Sequence, residues 1–139
     1  MAGTKTFTMI KPDAFAAGNS GAILTMIEAA GFKIVAMKLT TLTSALASKF
    51  YGVHSERSFY PSLVEFMSSG PLVAIVLEKE DAVLAYRNLI GATNPEQAAA
   101  GTIRKQFAQD LQRNAVHGSD SDENALAEAH FFFSEFEMI

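Results

Sequence analysis

The sequence predicts an α/β fold, a sheet with helices packed on it, and three observations point there. Four strand-like stretches alternate with helical ones along the chain, an order that excludes an all-α or all-β class. The 139 residues match the size of one ordinary domain, and 49% of them are apolar, enough for a single enclosed core. No internal repeat, low-complexity tract or linker divides the chain, so residues 1–139 are expected to form one domain. The order of the strands within the sheet stays open.

Residues 4–10, TKTFTMI, alternate threonine with apolar side chains, the period of a strand, and Lys11-Pro12-Asp13 ends it. Asn19 or Ser20 can cap a helix whose Ile23, Met26, Ile27 and Ala30 form one stripe, with Gly31 as its stop. FKIVAMKLTT, residues 32–41, reads as the second strand. Thr43 can cap the next helix, whose Leu46, Phe50 and Val53 are spaced to face the core, leaving Tyr51 and His54 together on a neighbouring face.

FYPSLVEFMSSG, residues 59–70, is a short helical stretch ended by Gly70-Pro71, and LVAIVLE, residues 72–78, is the most continuous apolar run and the expected central strand. A helix over residues 80–90 should turn Val83, Tyr86 and Ile90 inward. The glycine-bounded segment GATNPEQAAAG, residues 91–101, is long for a connection in a small domain, and such loops are often functional. TIRKQFAQDL, residues 102–111, resumes a helical pattern and NAVH, residues 114–117, is a short strand. The Asp120-x-x-Glu123 spacing suits the start of a last helix reaching about Phe133.

Charge and composition narrow the function. A net charge of −4 opposes general nucleic-acid binding, which needs clustered Lys and Arg. There is no cysteine, hence no disulfide framework or thiolate metal site, which favours a reducing cytoplasm. The N-terminal residues lack an apolar run of signal-peptide length, and no stretch is long enough to span a membrane, so neither secretion nor membrane insertion is expected.

The chemistry-bearing residues sit beside turns. Lys11 follows the first strand, Arg87 precedes the long loop, Thr93 lies in it and Arg104 follows it; together they could cradle an anion. No GxxxxGK[ST] or GxGxxG backbone cradle occurs. Each residue alone also has an ordinary reading. Lone Lys and Arg are usually solvated, Tyr51 and Phe59 suit a core, His54 could cap a helix end, and Asn114 could serve a turn. His117 stands at a strand end before Gly118, Ser119 and Asp120 at a helix start. A neutral imidazole there could attack phosphorus or could be only a polar turn residue, and by spacing Asp120 is the nearest group to orient its ring.

Along almost its full length, through FTMIKPDA, GFKIVAMK, FYGVH, LVEFMSSGP, GATNP, GTIR and NAVHGSDS, the chain resembles the nucleoside diphosphate kinase family. The resemblance implies a ferredoxin-like α/β sandwich with a four-stranded antiparallel sheet. It also implies a ping-pong kinase in which His117 takes the γ-phosphoryl of a nucleoside triphosphate and passes it to a nucleoside diphosphate. Carried over by position, Lys11 would neutralise the moving phosphoryl group and reach the sugar. Arg87, Thr93 and Arg104 would hold phosphate oxygens, and Asn114 the ribose. His54 would lie near the phosphates, and Phe59 would stack on the base with Leu63 beside it, a contact that tolerates any base. Tyr51 would buttress the imidazole, Ser119 and Asp120 would complete its surroundings, and Glu128, in place of Asp120, would accept from its second nitrogen.

The resemblance further implies Mg2+ held mainly through nucleotide phosphates and water, with Asp120 in an outer position, and a homo-oligomer, hexamer or tetramer, built on a common dimer. Where relatives commonly have an apolar Ile beside the glutamate, this chain has Ala129-His130, and its tail after the last helix is short, both of which bear on assembly rather than reaction. The rival readings are a non-catalytic nucleotide-binding or assembly module on the same fold, and a histidine-dependent hydrolase.

Overall fold

In the computed structural model, which describes residues 3–138, the strands form one antiparallel sheet of order β2-β3-β1-β4. β1 (Lys5–Ile10) and β3 (Leu72–Glu78) are interior and pair from Lys5↔Glu78 to Ile10↔Val73. β2 (Lys33–Thr40) forms one edge, with a register shift between Ile34 and Ala36. The three-residue β4 (Val116–Gly118) forms the other edge, with Met9 opposite His117.

Helices cover both faces, which is why LVAIVLE carries no polar face: β3 is buried from Leu72 through Leu77. On one side Phe7 and Met9 pack with α3 (Ser44–Phe50), α4 (Tyr60–Met67) and α7 (Asp122–Phe132) through Ala47, Leu63, Met67 and Ala129. On the other side Ile10, Val73 and Ile75 meet α1 (Pro12–Ala16), α2 (Ser20–Ala29), α5 (Ala82–Ile90) and α6 (Ile103–Phe107) through Ala14, Ile23, Ile27, Tyr86, Ile90 and Ile103. The order β1-β3 in the centre agrees with the expectation for residues 72–78. No helix among the described residues is long and apolar enough to cross a membrane.

Several local expectations need correction. The stripe Leu46, Phe50 and Val53 does not face the core: Leu46 and Val53 are exposed and Phe50 is half-buried, while Ala47 and Tyr51 are buried. The small side chain of Ala47 lets α3 approach the sheet on that face. After Phe50 the chain tightens into a 3₁₀ turn at Gly52–His54, so extrapolating the α-helical period to Val53 fails. Likewise α5 buries Ala82, Tyr86 and Ile90, with Val83 only half-buried.

The last helix is capped one residue later than the Asp120-x-x-Glu123 spacing suggests. Ser121 Oγ accepts from Asn124 N at 3.1 Å, because the extended backbone at Ser121 aims its hydroxyl at the first turn. The helix expected over residues 102–111 stops at Phe107. There Ala108 turns extended, and Asp110 Oδ1 then accepts from the amides of Gln112 and Arg113, closing a turn instead. Asn19 stands at the start of α2, yet its side chain makes no capping bond. The short α1, with Pro12 in its first turn, begins directly where the sequence reading had only a strand end.

Candidate active site

The site forms where the C-terminal end of β1 meets the start of β4. Lys11 has extended backbone and its amide donates to Ala115 O at 2.8 Å, fastening the segment before β4 to the end of β1. Asp13 Oδ2 accepts from Ala115 N at 3.2 Å. Between these contacts Ala115 takes φ of 74°, and Val116 N donates to Asn114 O at 2.9 Å, a γ-turn that a residue with a Cβ rarely adopts. The turn directs Asn114 inward, where its Oδ1 accepts from Lys11 Nζ at 2.8 Å and its Nδ2 donates to Leu111 O at 3.1 Å.

Burial shapes the two inner cations. The Lys11 side chain is enclosed, and this desolvation, followed by the nearby Arg104 guanidinium and partly offset by Asp13, lowers its pKa from 10.5 to about 8. Arg104 is held by two backbone carbonyls, Gly91 O at 3.0 Å and Val116 O at 2.9 Å, so α6 is tied to both the long loop and β4. Burial lowers its pKa to about 10, with Tyr86 opposing and Arg87 adding to the shift, which leaves the guanidinium charged at neutral pH.

The His117 ring lies between Phe7 and Phe50, with ring centroids 5.9 and 5.8 Å away. Its Nε2 is 2.8 Å from Glu128 Oε1, which also accepts from Ser119 Oγ at 2.7 Å. An ionised carboxylate only accepts, so Nε2 carries the proton and Nδ1 presents its lone pair. Nδ1 has no hydrogen-bond partner among the described residues. Tyr51 packs edge-on against Phe50, with centroids 4.9 Å apart, and its buried hydroxyl has no partner among the described residues. Burial, then the Glu128 carboxylate, push that phenol up from its usual range.

A cavity of about 470 Å³ opens over this histidine. The structure brings Lys11, Arg87, Thr93, Arg104 and Asn114 to its wall, joined by His54, Phe59, Leu63 and Tyr51. Phe59 is 41% exposed, with the Arg57 guanidinium 5.2 Å and the His54 ring 5.5 Å from its ring centre. Ser119 and Glu128 stand behind the imidazole. Asp120, which by spacing alone was the nearest group to the ring, instead accepts from Asn124 Nδ2 at 2.6 Å, leaving the orienting bond to Glu128.

Sequence reasoning missed Leu111 and Gln112, which also line the cavity. Leu111 is 62% exposed, and its only signal is a lone large apolar residue in the polar stretch QDLQRN. Ala129-His130 is accommodated: Ala129 is buried against the core, and His130 turns outward, 3.4 Å from Glu135.

Comparison with known proteins gives a consistent answer. The family model described as nucleoside diphosphate kinase matches residues 4–138. A nucleoside diphosphate kinase of Flavobacterium psychrophilum is 61% identical over 134 residues, covering 96% of each chain. The crystal structure of the Aquifex aeolicus nucleoside diphosphate kinase superposes with a TM-score of 0.96 at 47% identity, covering 98% of this chain and 99% of that one. A halophilic nucleoside diphosphate kinase from Halobacterium salinarum, solved in complex with CDP, superposes with a TM-score of 0.93 at 39% identity, covering 97% of this chain and 90% of that one. With its antiparallel ferredoxin-like sheet and a histidine set in a cation-lined cavity, the chain belongs to the nucleoside diphosphate kinase family.

Proposed function

We propose that this enzyme moves the γ-phosphoryl group of a nucleoside triphosphate, chiefly ATP, to a nucleoside diphosphate through a phosphohistidine on His117. The observation that carries the reading is the histidine itself: Nε2 is engaged by Glu128, Nδ1 has no hydrogen-bond partner among the described residues, and Lys11, Arg87 and Arg104 line the same cavity. In the first half-reaction Nδ1 forms a bond to the γ-phosphorus as the bond to the β-phosphate bridging oxygen breaks, releasing a nucleoside diphosphate. The ring gains positive charge as it does so, and the Glu128 carboxylate on Nε2–H stabilises it. The second half-reaction reverses these steps with the terminal phosphate oxygen of the acceptor.

Lys11, Arg87, Thr93 and Arg104 are proposed to hold phosphate oxygens, so the barrier falls by positioning and charge neutralisation. Asn114 would bind the ribose, Phe59 with Leu63 the base, and His54 would lie near the phosphates. Stacking without edge readout suits broad base tolerance. The relative solved with CDP supports a nucleoside diphosphate as the acceptor class.

Among the described residues no three His, Asp or Glu side chains cluster as a metal cage, and the charges lining the cavity are cationic. This lining suits Mg2+ carried by the nucleotide phosphates and water; Asp120, outside the cavity wall and bonded to Asn124, would act only as an outer carboxylate. Bound there, the ion would offset phosphate charge. A hexamer or tetramer built on a common dimer is proposed, supported by exposed Met37 and Leu39 on edge strand β2; the native particle mass tests it. A cytoplasmic setting accords with the absence of cysteine.

Incubation with γ-labelled ATP is expected to put acid-labile, alkali-stable label on His117, which GDP then removes as labelled GTP. Folded protein that takes no label on His117 overturns the reading, and ATP consumption without an acceptor would indicate a hydrolase.

The Lys11 shift gives a pH signature. Free enzyme should lose kcat/KM as pH rises through about 8, where the Lys11 ammonium deprotonates, while kcat persists to higher pH because bound phosphate favours the charged form. Stability should move the other way. Between about 8 and the ordinary value of 10.5 the unfolded chain holds a proton that the folded one has lost, so this group's contribution rises with pH. A pH–rate profile beside a pH–Tm series checks both.

A further inference from the structure

We infer that Thr8 and Tyr86 are positioning residues for phosphoryl transfer, holding the backbone carbonyl of His117 and so setting where its imidazole stands in the cavity. The inference rests on the proposed reaction through His117. Both side chains are fully buried. Thr8 Oγ1 donates to His117 O at 2.6 Å and lies 2.7 Å from Tyr86 Oη. A threonine hydroxyl has one proton, and here it serves the carbonyl; Tyr86 is therefore the donor in the second bond. The result is a directed chain from the Tyr86 phenol through Thr8 to the histidine backbone.

The chain acts from the face of the sheet opposite the ring. The imidazole packs with Phe7 and Phe50, on the α3–α4–α7 side, whereas Tyr86 belongs to the core on the α2–α5–α6 side. β4 is only three residues long, lies at the sheet edge and pairs with β1 alone, so the Thr8 hydroxyl adds a side-chain bond to a short backbone ladder. A valine at position 8 would fill the same space, and a buried hydroxyl is costly unless bonded, so the polar pair points to a demand on the carbonyl rather than on packing. The same tyrosine also spaces α5 from β4. A Cβ on Gly118 would come 2.8 Å from Ile90 Cδ1 and 3.3 Å from Tyr86 Cδ2, so helix and strand are in close contact there. Arg87, next in sequence, lines the cavity. Tyr86 thereby couples the position of the nucleophile to that of a phosphate-binding cation.

The test compares Thr8→Val, Thr8→Ser, Tyr86→Phe and the double variant Thr8→Val/Tyr86→Phe with the unaltered enzyme. The readouts are single-turnover labelling of His117 by γ-labelled ATP and thermal unfolding. Thr8→Val should lower the maximal labelling rate about 10-fold with the half-saturating ATP concentration within about twofold, the pattern of a misplaced nucleophile rather than weakened binding. Thr8→Ser should restore the rate. Tyr86→Phe, which spares the bond to the carbonyl, should lose about threefold through the weakened chain.

The double variant separates positioning from plain stability. It leaves no orphaned hydroxyl, so its Tm should recover relative to Thr8→Val while its labelling stays slow. A double variant labelled at the unaltered rate, a loss confined to ATP affinity, or Thr8→Ser as slow as Thr8→Val would each overturn the inference. If Thr8→Val does not fold, Tyr86→Phe and the double variant decide by the same readouts. Unaltered enzyme that takes no label on His117 removes the phosphoryl-transfer reading and this inference with it, whereas a labelled enzyme with every variant at full rate removes the inference alone.

Discussion

Replacement of His117 by alanine is expected to lower kcat by roughly 10⁴-fold or more, the scale of loss when the nucleophile of a covalent mechanism is removed. The fold should persist, because the ring is lodged at the edge of the aromatic cluster and not in its centre: its side chain keeps 18% of its surface exposed to the cavity. Removal does leave Glu128 without one of its two donors, but Ser119 Oγ still reaches Oε1, and the emptied space opens to solvent. The decisive measurement is nucleotide exchange between ATP and GDP, with circular dichroism on the same sample. Folded His117→Ala protein with substantial exchange activity would mean that the phosphoryl group passes directly between nucleotides.

Lys11→Met should separate function from stability. The ammonium sits enclosed beside Arg104, and its lowered pKa of about 8 reports the cost of holding a cation there. Methionine keeps the length and the apolar stem and removes the buried charge, but it also removes the donor to the buried Asn114 Oδ1; the two effects oppose each other, so Tm at neutral pH should change little. Activity should fall about 10²–10³-fold, the range for deleting one preorganised charge-stabilising group. The variant should also lose the basic limb of the kcat/KM profile near pH 8. Activity close to that of the unaltered enzyme would show that Arg87 and Arg104 neutralise the phosphates alone.

Much of the framework was legible from local pattern. TKTFTMI announces a strand by alternating threonine with apolar side chains and LVAIVLE by an unbroken apolar run, although both strands prove buried on two faces, and Thr43 announces a helix start because its hydroxyl meets Leu46 N at 3.1 Å. The α3 stripe was misread for a reason of the same kind. Apolar spacing does not say which face meets the sheet: within α3 it is Ala47 that is buried and Leu46 that is exposed, and the chain leaves the α-helical period just after Phe50, which displaces Val53. The last helix shows the limit of spacing: Asp120-x-x-Glu123 and Ser121 offer rival caps one residue apart, and backbone conformation chose Ser121. Leu111 looked like the tail of a helix until Asp110 closed a turn beneath it and left it at the cavity wall.

The sequence by itself determined the class of fold, most of its elements, and, through the run NAVHGSDS with Lys11, Arg87, Thr93 and Arg104, the family it resembles and the histidine at its centre. Only the tertiary structure decided the strand order, the cavity, the pairing of Lys11 with Asn114 across 103 residues, and the hydroxyl chain from Tyr86 through Thr8 to His117. The physical reason is the range of the forces concerned. Turn preference and apolar periodicity act over a few neighbouring residues and leave a readable trace. A hydrogen bond between distant side chains depends on how β1, β4, α5 and α7 close around one another, and no local pattern records that.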